Sequence, residues 1–181
     1  LSGSIPFGYL FTKFFLKKDI RKIGSRNIGA TNVLRTGDKF LGYLTLFFDV
    51  IKAIVPVLIV KYYIPDYIYI SSLSVFLGHV FPIWLKFKGG KGVASYIGIL
   101  CCINIYLGIT FGIVWFITFL IFKYSSLSSL LGSLSIPIVN YIFFKDDIIY
   151  FYIIMFILIF YTHKENIKRL VNRTESKTKI Y

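Results

Sequence analysis

Three short stretches of this 181-residue chain combine residue types that can hold and move charge. The first is KFKGGKG (86–92), where Lys86, Lys88 and Lys91 stand among Gly89, Gly90 and Gly92. Glycines leave backbone N–H groups unobstructed, successive N–H groups form an anion nest, and a following helix adds its dipole. Gly92-Val93-Ala94-Ser95 leads into an apolar run, so a helix start is expected there. The expectation is a phosphate cradle with Lys91 as its point charge. It is not a Walker A loop, because Gly92 rather than Ser or Thr follows Lys91. The bland alternative is a flexible, positive loop.

The second stretch, GSRNIGATNVLR (24–35), sets Ser25, Asn27, Thr31 and Asn32 near Arg35. Hydroxyl and amide groups recognise polyol hydroxyls, and a guanidinium forks onto phosphate. A small phosphorylated polyol fits that mixture. Ser, Asn and Thr also cap helices and make turns, which is the plain reading of the same residues. The third stretch, YTHKENIKRL (161–170), puts His163, Asn166 and Leu170 on one helical face. A histidine there can move a proton or donate to phosphate. Lys168, Arg169 and Arg173 read as interfacial residues whose heads reach for lipid headgroups.

Weaker signals surround these. His79 follows Gly78 inside an apolar run and reads either as a buried neutral histidine or as a substrate contact. Asp49 and Lys52 form an i,i+3 pair inside another run and are expected to brace the site from behind. KYSSLSS (123–129) offers serines, of which one is expected to reach a phosphate. Cys101 and Cys102 are adjacent and apolar in context, with neither disulfide nor metal-ligand spacing.

The elements that must position these residues are membrane helices. The chain is 56% hydrophobic and 19% aromatic, with mean hydropathy +0.73. A soluble domain of this size cannot hide that much apolar surface. Long apolar runs suit helices rather than barrel strands, so the fold class is an all-α integral membrane protein. The net charge of +13 fits positive cytoplasmic loops and anionic lipid better than nucleic acid, since most aromatics lie inside the apolar runs. No signal peptide is visible, and the start at Leu1, already apolar and without Met, leads us to expect an incomplete amino terminus.

Apolar runs fall at about 1–16, 40–60, 67–85, 93–122, 127–144 and 148–162. Seven Lys/Arg lie in 17–39, three in 86–92 and six in the 163–181 tail, and the positive-inside rule wants all three segments on one side. That requires an even number of crossings between 92 and 163, so the 93–122 run is expected to split near Asn104 to Gly108. The result is seven transmembrane helices, N-terminus outside and C-terminus cytoplasmic, in one domain over 1–181. The 61–66 and 145–147 turns then face outside.

GSIPFGYL, GSRNIGATNVLR, GHVFPIWLKFKGGKGVAS and HKENIKRL, in that order over nearly the whole chain, resemble the bacterial membrane glycerol-3-phosphate acyltransferases that use acyl phosphate, the PlsY type. The resemblance implies transfer of an acyl group from acyl phosphate to the 1-hydroxyl of glycerol 3-phosphate. The products would be lysophosphatidic acid and phosphate, the first step of phospholipid synthesis at the bacterial inner membrane. Motif by motif, it implies Ser25 and Arg35 for polyol and phosphate, and Gly89 to Gly92 with Lys91 for a phosphate. It implies His163 and Asn166 around the reacting groups, and Ser126 or Ser129 as a further donor. No cofactor, metal or obligate protein partner is implied. Arg26 and Arg173 stand where the family usually has glycine, Ser95 replaces Thr, and Glu175 matches a Gly-Thr-Glu ending in part.

An acyl phosphate already carries a good leaving group, so alignment and charge neutralisation are the main requirements. The HxxxxD motif of soluble-headed acyltransferases is absent, since Trp84 and Lys168 stand where its Asp would follow His79 and His163. The substrate's own phosphate is therefore expected to accept the hydroxyl proton, with His163 orienting. A transporter would need a polar path, yet the charges crowd one face. A purely structural membrane protein would not need three loops rich in Gly, Asn and Ser.

Overall fold

A computed structural model describes residues 1–145 and 147–178. Asp146 of the expected 145–147 turn and Lys179 of the basic tail lie outside the described residues. No strand occurs among the described residues, and the chain divides into two compact units, Leu1–Cys102 and Ile103–Tyr181.

The first unit begins with a 3-10 turn, Ser2–Ser4, followed by α1 (Phe7–Phe15), α2 (Ala30–Leu34), α3 (Lys39–Tyr63), α4 (Ile68–Val80) and α5 (Val93–Ile103). Asp38 starts α3 by accepting the Leu41 N–H at 2.9 Å, the usual service of an N-cap carboxylate. At 1.5 Å per residue, 25 residues span about 37 Å, enough to cross a hydrocarbon core of about 30 Å. The expected first span, 1–16, is α-helical only over Phe7–Phe15. Its leading residues instead pack on α4: a Cβ on Gly3 would collide with the Val75 carbonyl, and one on Gly78 would lie 3.1 Å from the Ser4 nitrogen.

The second unit holds α6 (Ile105–Phe122), α7 (Ser125–Val139), α8 (Ile149–Thr162) and α9 (Lys164–Val171). The break expected between Asn104 and Gly108 occurs at Asn104. Its backbone is extended and its side-chain oxygen accepts the Tyr106 N–H at 3.0 Å, so the amide that would interrupt a helix interior begins α6 instead. After Pro137, α7 widens into a π-turn, Asn140–Phe144.

Among the described residues, four stretches are long and apolar enough to cross a membrane: Lys39–Tyr63, Pro65–Leu85, Ile105–Phe122 and Ser125–Phe144. The apolar helices α5 and α8 are shorter, with 11 and 14 residues, and α1 has nine. Phe47, Leu58 and Ile59 on α3, and Ile113, Phe116 and Leu120 on α6, lie exposed. So much outward apolar surface is stable against lipid rather than water.

Inside the first unit, the Lys52 ammonium lies 2.6 Å from the Asp49 carboxylate, and both side chains are 3% exposed. Lys52 also donates to the Ile5 carbonyl at 2.8 Å, and Ser95 on α5 donates to the Asp49 carbonyl at 3.2 Å. A buried charge without its partner is penalised by about 3–5 kcal/mol, whereas removing both charges is often neutral. Lys52→Met is therefore expected to lower the unfolding free energy, measured by denaturation in detergent, by that amount. Asp49→Asn with Lys52→Met should recover most of it. A double variant no more stable than Lys52→Met would refute the pairing as the cause.

Candidate functional site

The residues singled out from the sequence fall into two sets, one in each unit. In the first unit the 16–29 loop is pinned by apolar side chains. Ile20, Ile28 and Val33 are buried in one cluster with Leu41 and with Leu85, which immediately precedes KFKGGKG. The loop also lies tightly on α1, where a Cβ on Gly8 would collide with the Ile28 carbonyl. Gly24, at φ +52°, makes the turn that leads into Ser25.

Asn32 organises this loop. Its buried amide accepts the Ser25 N–H at 2.9 Å and donates to the carbonyls of Asn27 (2.7 Å), Ile23 (3.0 Å) and Ile20 (3.2 Å). Asn27 turns its side-chain oxygen to the Gly29 N–H at 2.8 Å. Four backbone partners thus occupy the Asn32 amide, which shapes the loop. The plain turn reading accounts for the Asn27 oxygen as well. Ser25 is exposed, and Thr31 and Arg35 are half-buried.

KFKGGKG departs further from expectation. Lys86 and Phe87 both take left-handed backbone, at φ 53° and 61°, and fold the chain back over the end of α4. The Gly89 N–H donates to the Val80 carbonyl and the Gly90 N–H to the His79 carbonyl, each at 3.1 Å. These carbonyls are among the last four of α4, which have no partner within the helix. The two amides thus cap α4 and are not the open nest expected from the glycines. Lys91 and Gly92 follow, and the Tyr96 N–H closes the first turn of α5 on the Gly92 carbonyl at 2.8 Å. His79 is 3% exposed, with Nδ1 3.8 Å from the Asp49 carboxylate, so it lies beside the buried Asp49–Lys52 pair. Its ring is buried against Gly90 of the loop.

In the second unit the serine run opens α7. Ser129 accepts from the Trp115 indole N–H at 3.1 Å and donates to the Ser125 carbonyl at 2.8 Å. Ser126 donates to Glu175 Oε1 at 2.8 Å. The same oxygen accepts from Asn166 Nδ2 at 2.7 Å, and Glu175 Oε2 accepts from Arg169 Nε at 2.6 Å. One carboxylate therefore joins α7, α9 and the tail. Arg169, expected to reach for headgroups, instead pairs with this carboxylate. Burial alone would raise the Glu175 pKa, but the hydrogen bonds from Arg169, Asn166 and Ser126 outweigh it and hold the carboxyl below its ordinary 4.5. The sequence signal for Glu175 was its partial match to a Gly-Thr-Glu ending, which pointed to no partner.

His163 sits at the junction of α8 and α9 and is 2% exposed. Its Nδ1 lies 2.8 Å from the Ile159 carbonyl. A carbonyl only accepts, so Nδ1 carries the hydrogen, and in the neutral ring the lone pair is on Nε2. A ring held in that tautomer can accept a hydrogen bond from a hydroxyl at Nε2 and align it. Asn166, one turn on, has its amide nitrogen tethered to Glu175, which sets which end of the amide is the carbonyl.

Similarity to known proteins extends over nearly the whole chain. A family model described as glycerol-3-phosphate acyltransferase matches residues 1–173. The chain is 68% identical over 181 residues to the glycerol-3-phosphate acyltransferase of Pelagibacter ubique (strain HTCC1062), covering 100% of this chain and 94% of that one. It is 45% identical over 177 residues to the protein of that name from Mesorhizobium japonicum, covering 98% and 91%. The crystal structure of PlsY (YgiH), an integral membrane glycerol 3-phosphate acyltransferase, in its glycerol 3-phosphate form, superposes with TM-score 0.92 at 35% identity, covering 98% of this chain and 90% of that one. The lysophosphatidic acid form gives TM-score 0.89 at 34% identity.

Glu175→Gln keeps the shape but removes the charge that Arg169 meets. It is expected to lower stability by about 1–2 kcal/mol, since charge-assisted bonds are worth somewhat more than neutral ones and Arg169 is partly solvated. The sign with pH follows from the lowered carboxyl. Its contribution is complete above 4.5 and is lost as pH falls through the lower value it has in the folded chain. Unfolding midpoints between pH 7 and pH 3 should therefore fall more for the parent chain than for Glu175→Gln. Parallel curves would refute the assignment.

Proposed function

The chain belongs to the glycerol-3-phosphate acyltransferase family, and from that premise we propose that it moves an acyl group from acyl phosphate to the 1-hydroxyl of glycerol 3-phosphate. Membership makes it an acyltransferase of an integral membrane family; the donor, the residues and the topology are our reading. In the proposed step the 1-hydroxyl oxygen bonds to the acyl carbon as the acyl carbon–oxygen bond to phosphate breaks. The hydroxyl proton ends on the released phosphate, and lysophosphatidic acid leaves with the chain.

The observation that carries this reading is the His163–Asn166 pair. One side chain is locked by Ile159 into the tautomer with its lone pair on Nε2, and the other is tethered by Glu175. Rigid polar groups of that kind align a hydroxyl without having to remove its proton completely. Ser25 and Arg35 bind the polyol and its phosphate, with Thr31 beside them, and Asn32 holds their loop. Lys91 supplies charge to a phosphate, and we assign it to the acyl phosphate. Gly89 and Gly90 serve by letting the chain lie flat on α4, and Gly92 by turning into α5. Ser126 is engaged with Glu175 and Ser129 with Trp115, so a phosphate contact from either would be shared with those partners.

We place the seven apolar helices α1 and α3 to α8 across the bacterial inner membrane as one domain, N-terminus outside and C-terminus cytoplasmic. The short α1, α5 and α8 are accommodated by local thinning of the bilayer. Loops 17–39 and 86–92, the serine run and the tail then share the cytoplasmic face. Membrane lipid is the surrounding partner, and neither a cofactor nor an obligate protein partner is required.

Purified protein given glycerol 3-phosphate with palmitoyl phosphate should release phosphate and form lysophosphatidic acid, and palmitoyl-CoA should not replace the acyl phosphate. Turnover with the CoA ester at a comparable rate would overturn the donor assignment. His163→Ala should lose about 100-fold in kcat, within the range for a positioned polar group. Restoration by imidazole, with a pH profile following imidazole's own pKa, would show that His163 is the base and that proton transfer to the substrate's phosphate is wrong.

A further inference from the structure

The three glycines of 89–92 are glycine for three different physical reasons. Gly92 has φ +82°, a backbone that side chains rarely adopt, and its missing Cβ also faces the Phe76 ring. Gly89 and Gly90 do not have positive φ. Gly89 lies against backbone: a Cβ there would meet the His79 and Val80 carbonyls and the Pro82 ring. Gly90 lies against one side chain: a Cβ there would meet Nε2, Cδ2 and Cε1 of the His79 imidazole. The same residue's carbonyl accepts the Gly90 N–H at 3.1 Å. The imidazole is itself confined, being 3% exposed with Nδ1 3.8 Å from the Asp49 carboxylate that pairs with Lys52.

We propose that His79 is a positioning residue: its imidazole is the seat on which Gly90 rests, and so sets the height of Lys91 above the end of α4. Lys91 is the one residue of 89–92 with a side chain, and it follows Gly90 directly. A methyl group at 90 must lift the backbone off the ring or push the ring into the Asp49–Lys52 pair. Lifting moves the Lys91 ammonium, whereas the ring's two buried neighbours resist the second route. His79 thus acts on a substrate phosphate through Lys91 and does not touch it. The inference rests on the reading of Lys91 as a phosphate ligand.

The contact predicts selective suppression. Gly90→Ala should lower kcat/KM by about tenfold or more, the scale of a misplaced binding group, with the loss mainly in the KM of the substrate whose phosphate Lys91 holds. Adding His79→Ala removes the obstructing ring and should recover at least about fivefold, a coupling expected only for residues in contact. The same His79→Ala should not improve Gly89→Ala, which meets backbone, or Gly92→Ala, which is strained by its φ. In a Lys91→Ala background Gly90→Ala should cost little more, because the group it displaces is gone.

A His79→Ala/Gly90→Ala protein no better than Gly90→Ala overturns the proposal. So does equal recovery at 89 or 92, or an undiminished Gly90→Ala loss without Lys91. The same cycle read as thermal midpoints tests the packing without turnover: Gly90→Ala should lower the midpoint and His79→Ala should partly restore it. A parent chain inactive with every acyl donor would overturn the proposed function, while an additive midpoint cycle would overturn the seat.

Discussion

Lys52 and Asp49 can occupy the interior of the first unit only because each neutralises the other. An ammonium and a carboxylate 2.6 Å apart, both nearly free of solvent, are tolerated where either alone would not be. The demand for further partners then reaches outward. Lys52 takes the Ile5 carbonyl and so fixes the segment that leads into α1. The backbone of Asp49 receives Ser95 and ties down the start of α5, and its carboxylate faces His79 at the end of α4. One ion pair thus lies between the leading segment, the end of α4 and the start of α5 that follows the KFKGGKG loop.

The polar loops obey the same rule of satisfied partners. In KFKGGKG the Gly89 and Gly90 amides return to the carbonyls at the end of α4. In the 24–35 stretch the Asn32 amide spends its capacity on four backbone groups. In the second unit Glu175 gathers Ser126, Asn166 and Arg169. Each motif therefore contains residues that build a rigid support from partners within its own unit. In the first unit the supports are the small and amide residues that shape the loops carrying Arg35 and Lys91.

Those internal partners are what composition could not show. Composition named the residue types that recognise phosphate and polyol, but Ser, Asn and Gly have the same chemistry whether they bind a ligand or a neighbouring peptide group. Asn27 and Asn32 were legible as turn formers and equally as donors, and the tertiary contacts decided for the turn. Gly89 and Gly90 were legible as small residues but not as residues pressed on His79 and its neighbours. Arg169 was legible as a cation, and its pairing with Glu175 was not.

The sequence by itself determined the class of the molecule, the apolar segments, a break near Asn104 to Gly108 and the three polar stretches, and these identify the family. Such features depend on local pattern: hydropathy over a helix length, a capping amide, a run of glycines between lysines. Only the tertiary structure decided that Lys52 reaches the Ile5 carbonyl 47 residues away and that Glu175 meets Ser126 across 49. It also decided that Ile159 sets the tautomer of His163. A buried polar atom must find a partner, but its residue type does not say which one. That choice depends on which helices lie side by side.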